Sequence, residues 1–282
     1  MVYLKLWIFN VGHGNCVYGE TPKRNFMLDC GADETNGFSP AKLLKEKYNA
    51  KNLDYLLISH PHVDHICDII NVDNYMSPTV LSRNKIIDVA KIEEENSEVF
   101  ETHKDIIEKY LDMNSRYNQP LQSLENPKTK DWSDGVRIVE YSNKDSTMNL
   151  NDLSIVAFME FGGYTILYGG DLEEKGWNAL LSKNYFVEWL RSTDVLIASH
   201  HGRESGFSSE IFKYCKPKLT IISDGRFGDT SATNRYVSVT SGMKVKNKGT
   251  VEDRKVITTR NDGHIFLQNN GTDLSVQLGW KS

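Results

Sequence analysis

The chain has 282 residues, and 39% of them are hydrophobic, which is enough to bury the core of one large domain or two small ones. We expect one domain. Its net charge of −5, from 33 basic and 38 acidic residues, argues against a protein that coats nucleic acid nonspecifically. The N-terminal apolar run stops at Asn10 without a cleavage site, and no later run approaches the roughly 20 apolar residues that cross a bilayer. We therefore expect a soluble cytoplasmic protein without membrane partners.

Strands and helices alternate in the first part of the chain. Three short apolar runs between residues 2 and 30 predict strands. A helix is predicted over Pro40–Tyr48, because Ser39 can cap it and proline suits its first turn. The apolar run Leu53–Ser59 predicts the next strand. The long charged helical pattern further on contains no metal-ligand motif, so we expect a helical insertion at about residues 84–118 that covers one side of a site.

The segment Ser59-His-Pro-His-Val-Asp-His places four metal-binding side chains within six positions, directly after the fourth predicted strand. His60 and His62 are two residues apart in extended chain and point the same way. Asp64 and His65 open a helix predicted over Val63–Val72. Imidazole and carboxylate ligands together suit zinc, manganese or iron, and one such cluster could hold two ions. A histidine-rich surface loop is the alternative, which is disfavoured because three of the eight histidines lie here.

Polar side chains also follow strands in the second half of the chain. A hairpin around Gly162-Gly163 predicts a strand that runs directly into Asp171. The strand Val195–Ser199 likewise runs into His200 and His201. The other predicted elements are helices over residues 173–191 and 207–215 and strands over residues 219–223, 256–259, 264–268 and 274–278. Apolar strands that alternate with helices in two halves favour two sheets packed face to face with helices outside.

These motifs resemble those of the metallo-β-lactamase fold, and within it the ComEC-like metallohydrolases and their stand-alone relatives. The likeness spans most of the chain and rests on five segments in the order and approximate spacing of the family: Phe9-Asn-Val-Gly-His-Gly-Asn, Leu28-Asp-Cys-Gly, Ser59-His-Pro-His-Val-Asp-His, Tyr168-Gly-Gly-Asp-Leu-Glu and Ser199-His-His-Gly. The resemblance implies an α/β fold, a four-layer αββα sandwich, with residues 1–282 as a single domain.

The resemblance also implies ligands for two divalent metal ions, zinc or manganese. The expected ligands are His60 and His62 on the first ion, Asp64 and His65 on the second, Asp171 as a bridge and His200 as the last ligand of the second ion. Asp64 would also orient or deprotonate the attacking water. His201 competes with its neighbour, because adjacent residues at a strand end point to opposite sides. We expect His200 to be the ligand and His201 to act as a general acid or a phosphate contact.

Departures from the family pattern mark several neighbours of this site. Many relatives carry a third histidine on the first ion, and Asn151 or Asp152 stands near its place here. Asp29, at a strand end, resembles an aspartate that orients ligand loops without touching metal. His13 and Arg203 stand where ComEC-like chains carry glutamine and serine, so we expect both to contact substrate. A surface salt bridge is the alternative for Arg203.

These features predict a metal-dependent phosphodiesterase, first of all a nuclease that acts on DNA or RNA through a hydroxide shared by two ions. Nucleic acid is favoured by the ComEC likeness, by Arg203 and by the locally basic residues 241–260, with six basic and two acidic side chains. A hydrolase of small phosphodiesters or amides, with the insertion as a lid, is the second hypothesis. A non-catalytic metal-binding subunit of a larger assembly is the third.

Overall fold

The computed structural model describes residues 2–50, 52–225 and 232–279. Within them, the strands are β1 Leu4–Ile8, β2 Val17–Glu20, β3 Asn25–Leu28, β4 Tyr55–Leu57, β5 Val80–Ser82, β6 Arg137–Tyr141, β7 Val156–Phe161, β8 Tyr164–Tyr168, β9 Thr193–Ile197, β10 Leu219–Ile222, β11 Met243–Asn247, β12 Thr250–Arg254, β13 Val256–Thr258, β14 Ile265–Asn269 and β15 Leu274–Leu278. The helices are α1 Pro40–Tyr48, α2 Val63–Ile66, α3 Ile69–Met76, α4 Val89–Glu95, α5 Phe100–Arg116, α6 Glu174–Leu181, α7 Asn184–Arg191, α8 Thr233–Val239 and α9 Thr259–Asp262. None of the described helices combines the length and apolar character that crossing a bilayer requires.

Two sheets pack face to face. The larger has nine strands in the order β12-β11-β15-β14-β1-β2-β3-β4-β5, and the smaller has six, β13-β10-β9-β8-β7-β6. Their inner faces share one apolar core, in which Leu6 and Leu57 of the larger sheet lie with Ala157 and Ile197 of the smaller. Helices α1 to α5 cover the outer face of the larger sheet, and α6 to α8 cover that of the smaller. The predicted four-layer αββα sandwich is confirmed.

Alternation along the inner strands explains these layers. In β3, Phe26 and Leu28 point into the core between the sheets, whereas Met27 points to the helices outside. In β7, Ala157 faces inward and Phe158 faces outward, towards α6 and α7. A strand that is apolar on both faces is stable only where both faces are covered. These strand sequences therefore require a helical layer on each side of the paired sheets.

The predicted helix over Pro40–Tyr48 is confirmed, together with its cap. Ser39 Oγ accepts a hydrogen bond from Lys42 N at 3.1 Å. At the other end Asn49 has φ 49°, the left-handed conformation that commonly ends helices. The Ser39 hydroxyl also donates to Asp68 Oδ1 at 2.7 Å, which ties the start of α1 to the start of α3.

Other predicted helices are divided, and one is wrong. The helical pattern of residues 63–72 forms α2 and part of α3, because Asp68 leaves the helix to accept hydrogen bonds from α1. Residues 173–191 likewise form α6 and α7, and the expected insertion at 84–118 contains α4 and α5. The helix predicted over 207–215 is wrong, because this segment contains only a 3₁₀ turn, Ile211–Lys213. Its apolar side chains pack against α8.

Strands β6, β11 and β12 and helix α8 were not predicted. In the β11–β12 hairpin, Lys244 lies opposite Asp253, and both side chains are exposed. This hairpin forms one edge of the larger sheet, and β6 forms one edge of the smaller. An edge strand can leave one face to solvent, so it lacks the continuous apolar run that marks an inner strand.

Phe158 tests the outer layer of the smaller sheet. Its buried ring lies 5.7 Å from that of Phe186 and 5.6 Å from that of Trp189. We expect Phe158→Ala to lower the free energy of unfolding by about 3–5 kcal/mol, because the cavity left behind cannot collapse fully. Leu124→Ala, at a side chain that is 77% exposed, should change it by less than about 0.5 kcal/mol. Denaturant titrations measure both, and equal losses would contradict the layer assignment.

Candidate metal centre

Strand ends from both sheets meet at one edge of the sandwich. Ser59 follows β4, and its carbonyl accepts a hydrogen bond from Ile155 N at 2.9 Å. His200 N, beyond β9, donates to Gly170 O at 3.0 Å. Gly170 has φ 55°, and a Cβ there would lie 2.9 Å from Ser154 Cβ, so the close approach requires glycine. These contacts bring Asp171 beside the histidine segment that follows β4.

Four side chains converge closely enough to share an ion. One ligand atom from each of Asp64, His65, Asp171 and His201 lies within 4.8 Å of the others. His201 Nε2 is 3.1 Å from Asp64 Oδ2 and 3.3 Å from Asp171 Oδ2. His65 Nε2 is 3.2 Å from Asp171 Oδ1. Imidazole and carboxylate ligands of this kind suit zinc and manganese.

A second pair of nitrogens, from His60 and His62, lies near Asp171. His60 Nε2 and His62 Nδ1 are 2.9 Å apart, and His60 Nε2 is 4.0 Å from Asp171 Oδ2. Burial, reinforced by the nearby His65 ring, holds the pKa of His60 well below its usual value. The His60 imidazole is therefore neutral, as a metal ligand must be.

Charge within the four-residue group is balanced internally. Burial opposes ionisation of Asp171, but the imidazoles of His65 and His201 hold its pKa well below the usual value. Burial likewise opposes a charged His201, yet Asp171 and Asp64 raise its pKa to about 9. Asp171 Oδ1 is buried and receives no hydrogen bond of normal geometry from the described residues. Because a cation in place of the imidazole protons would satisfy these carboxylates, the group could hold a divalent ion.

Asp29 supports the group from behind. Its buried carboxylate accepts hydrogen bonds from Ser59 N and Ser59 Oγ, each at 2.6 Å, and lies 2.5 Å from His65 Nδ1. The Tyr168 hydroxyl donates to the same carboxylate. With Nδ1 held in this way, His65 directs Nε2 towards Asp171. Tyr168 was missed in the sequence, where its one signal is a tyrosine that ends a strand just before Gly-Gly-Asp.

His200 and His201 differ in position from the sequence-based expectation. His201 Nδ1 donates to Ser223 O at 3.0 Å, which turns Nε2 into the four-residue group. His200 Nδ1 instead lies 2.8 Å from Ser205 Oγ and 3.2 Å from Glu173 Oε1, and its Nε2 is 4.0 Å from the nearest Asp171 oxygen. The geometry favours His201 as the ligand, whereas the sequence-based preference was for His200. The backbone of both residues is left-handed, with φ 49° at His200 and 54° at His201, so the side-chain alternation of an extended strand does not apply to them.

Asn151 and Asp152 lie beside the start of α6. Asp152 Oδ1 accepts hydrogen bonds from Glu173 N at 3.1 Å and Gly176 N at 2.8 Å, so this carboxylate caps a helix. Asn151 Oδ1 is buried and accepts no hydrogen bond from the described residues. Of the two candidates for the missing ligand of the first ion, Asn151 is thus the one with a buried side-chain oxygen that accepts no hydrogen bond from the described residues.

His13 and Arg203 form a pair at the margin of the group. Arg203 Nη2 donates to His13 Nε2 at 3.1 Å. Burial, together with the nearby His201, lowers the pKa of His13 to about 4, so its ring is neutral and accepts this hydrogen bond. The 3.3 Å contact between His13 Nε2 and Asp64 Oδ2 is then polar rather than an ion pair. His13 lines the cavity beside the group, and Arg203 is not among the residues that line it.

A cavity of about 1030 Å³ opens onto the group. Its lining includes His13, His62 and Asp64, the turn at residues 32–36, and Glu95, Asn96, Glu98, Val99 and His103. Glu95 Oε2 lies 4.0 Å from His62 Nε2. Glu95 and Asp224, a buried carboxylate that also lines the cavity, were both missed in the sequence because neither belongs to a motif.

Comparison with known proteins agrees with this architecture. A family model described as the metallo-beta-lactamase superfamily matches residues 9–136. ComE operon protein 3 of Bacillus subtilis (strain 168) is 35% identical over 86 residues, which are 30% of this chain and only 10% of that protein. The chain thus spans a small part of this curated relative.

Solved structures with similar folds share little sequence with the chain. The metallo-beta-lactamase fold protein YhfI from Bacillus subtilis is 13% identical, with a TM-score of 0.49 over 95% of this chain and 100% of that one. A diphosphatase of the PhnP family is 16% identical, with a TM-score of 0.45 over 83% and 92% of the two chains. The family match at residues 9–136 includes the whole histidine segment after β4. Residues 9–136, somewhat less than half of the chain, therefore match the metallo-beta-lactamase superfamily in sequence.

Proposed function

We propose that the chain hydrolyses phosphodiester bonds at a pair of divalent ions, zinc or manganese, with DNA or RNA as the first candidate substrate. The observation that carries this proposal is the position of Asp171, whose carboxylate oxygens lie 3.2 Å from His65 Nε2, 3.3 Å from His201 Nε2 and 4.0 Å from His60 Nε2. Two adjacent ligand sets that share one carboxylate are typical of dinuclear hydrolases.

The ligand sets follow from these contacts. His60, His62 and Asp171 would hold the first ion, with Asn151 as a further donor. Asp64, His65, His201 and the same Asp171 would hold the second ion. When bound, two such ions supply Lewis acidity towards phosphoryl oxygens and lower the pKa of a water molecule. His60, His62, Asp171 and His201 lie in short segments that follow strands, and Asp64 and His65 lie in the helix α2 that follows the first of these segments.

Proton transfer falls to side chains that face the cavity. Asp64 has a side chain that is 25% exposed, in contrast to the fully buried His65 and His201 side chains. We assign Asp64 the orientation and deprotonation of the attacking water. Both His201 nitrogens are engaged, so the contacts of His201 do not support the general-acid role expected for it.

The cavity walls favour a second candidate, a small phosphodiester. Asp33, Glu34, Glu95 and Glu98 all line the cavity, and their charge would repel a polyanion. The ComEC-like motifs and the His13–Arg203 pair support nucleic acid instead. No feature of the described residues favours an amide substrate. Activity assays with both substrate classes separate these candidates.

Loss of Asp171 should remove metal and activity together. We expect the protein to bind two zinc or manganese ions per chain and to cleave bis-p-nitrophenyl phosphate. Asp171→Ala and Asp64→Ala should each lower kcat by about 100-fold or more, since several kcal/mol of charge stabilisation disappear. Elemental analysis and initial rates measure these effects. A metal-loaded protein that cleaves neither the diester nor labelled DNA or RNA would contradict the proposal and favour the non-catalytic subunit.

Asp29→Asn should weaken metal binding without unfolding the chain. The substitution removes the charge that holds His65 Nδ1, so we expect metal affinity to fall by about 10–100-fold in competition with a chelating dye. Asp68→Asn is the matched control, because Asp68 is also a buried carboxylate that accepts several hydrogen bonds, but from Ser39, Ala41 and Asn71. Asp68→Asn should lower stability and leave metal affinity unchanged; equal affinity losses would argue against an orienting role for Asp29.

Salt dependence identifies the substrate class. If nucleic acid is the substrate, kcat/KM for labelled DNA or RNA should fall steeply between 50 and 200 mM salt, on the order of 10-fold or more, because counterions are released on binding. Hydrolysis of bis-p-nitrophenyl phosphate should change by less than about twofold over the same range. Cleavage of the chromogenic ester with intact nucleic acid at every salt concentration would select the small-phosphodiester candidate.

A further inference from the structure

The geometry points to an anion-binding subsite formed by Arg260, beside Asp224 in the cavity, which receives a second anionic group of the substrate, a phosphate or a carboxylate. This inference rests on the proposed phosphodiester hydrolysis and narrows its substrate class. Among the described residues that line the cavity, Arg260 is the single lysine or arginine. The ligand residues His62 and Asp64 line the same cavity. One substrate molecule can therefore contact the metal centre and Arg260 together.

Arg260 is held by the same strand end that holds a metal ligand. It lies in α9, the single turn after β13, and its Nη1 is 3.4 Å from Asp224 Oδ2 and 3.3 Å from Gly225 O. Asp224 follows Ser223, whose carbonyl accepts the hydrogen bond from His201 Nδ1. The guanidinium and the metal centre are thus fixed relative to each other through two residues of backbone, which gives a substrate with two anionic groups a defined spacing.

The contacts to Asp224 leave Arg260 suited to a further anion. Charge-assisted hydrogen bonds between arginine and carboxylate normally measure about 2.7–2.9 Å, so a contact of 3.4 Å is loose. Both named contacts use Nη1, and a guanidinium also carries donors on Nη2 and Nε. The side chain is 24% exposed, and Arg260 borders the cavity.

The other basic residues of the 241–260 stretch do not join this subsite. Lys244, Lys246, Lys248 and Lys255 are exposed on or beside the β11–β12 edge hairpin and do not line the cavity. Arg254 Nη2 pairs with Asp262, at 3.0 Å. The stretch therefore offers one cation to the cavity rather than a continuous basic groove. A compact diester with one extra anionic group matches this arrangement better than a long polyanion does.

Matched substrates test the subsite. The p-nitrophenyl ester of thymidine 5′-phosphate would be compared with the same ester carrying a 3′-phosphate, and with a p-nitrophenyl carboxyalkyl phosphate as the carboxylate arm. Arg260→Gln should raise KM for at least one of the two esters with an extra anion by about tenfold or more, with kcat within about twofold. Arg260→Lys should give a smaller rise, because it keeps the charge and loses the fork. Lys246→Gln, outside the cavity, should leave KM and kcat for these esters unchanged. KM and kcat for bis-p-nitrophenyl phosphate should change little in any of the variants.

A binding measurement separates this inference from the proposed function. Calorimetry with the metal-loaded protein would compare thymidine 3′,5′-bisphosphate with thymidine 5′-phosphate, and 3-phosphonopropionate with propylphosphonate. If no ester is cleaved but Arg260→Gln abolishes a preference for the ligand with the extra anion, the proposed hydrolysis fails and the subsite stands. If neither ligand with the extra anion binds more tightly, or if Arg260→Gln weakens all ligands equally in a protein with unchanged unfolding temperature, the subsite is overturned. A preference among the thymidine phosphates identifies phosphate as the recognised group, and a preference among the phosphonates identifies carboxylate.

Discussion

The buried carboxylate of Asp171 is the constraint around which the site is organised. It lies at the end of β8, in the smaller sheet, yet its oxygens contact histidines that follow β4 in the larger sheet. A buried carboxylate is stable only when charges or hydrogen-bond donors surround it. Because these donors come from loops that are far apart in sequence, the site can form only when the two sheets are packed together. The fold and the candidate chemistry thus depend on one electrostatic requirement.

Backbone strain is concentrated where ligands are positioned. Asp29, His200 and His201 have φ values of 54°, 49° and 54°, and each such conformation costs on the order of 1–3 kcal/mol in a residue other than glycine. Hydrogen bonds hold these residues in place, as where the Asp29 carboxylate binds Ser59, His65 and the Tyr168 hydroxyl. The strained turns end the strands abruptly, so that polar side chains emerge at the edge of an otherwise apolar core.

Sequence reasoning reached those features whose causes are local. The layers follow from alternation along single strands, and the metal-binding segment after β4 holds its ligand types within six positions. The sequence-based preference for His200 over His201 disagrees with the geometry, because no propensity reveals two successive left-handed residues. Glu95, Tyr168 and Asp224 were missed for another reason: their contacts join segments far apart in the chain. Edge strands such as β11 and β12 were missed because they lack a continuous apolar run.

Anomalous diffraction at the manganese or zinc absorption edge, from crystals equilibrated with the metal, tests the central claim most directly. The account predicts two anomalous peaks separated by about 3.5–4 Å with Asp171 between them, one contacting His60 and His62 and the other contacting His65 and His201. A single peak remote from Asp171, or two peaks ligated by His200 with His201 turned away, would contradict it.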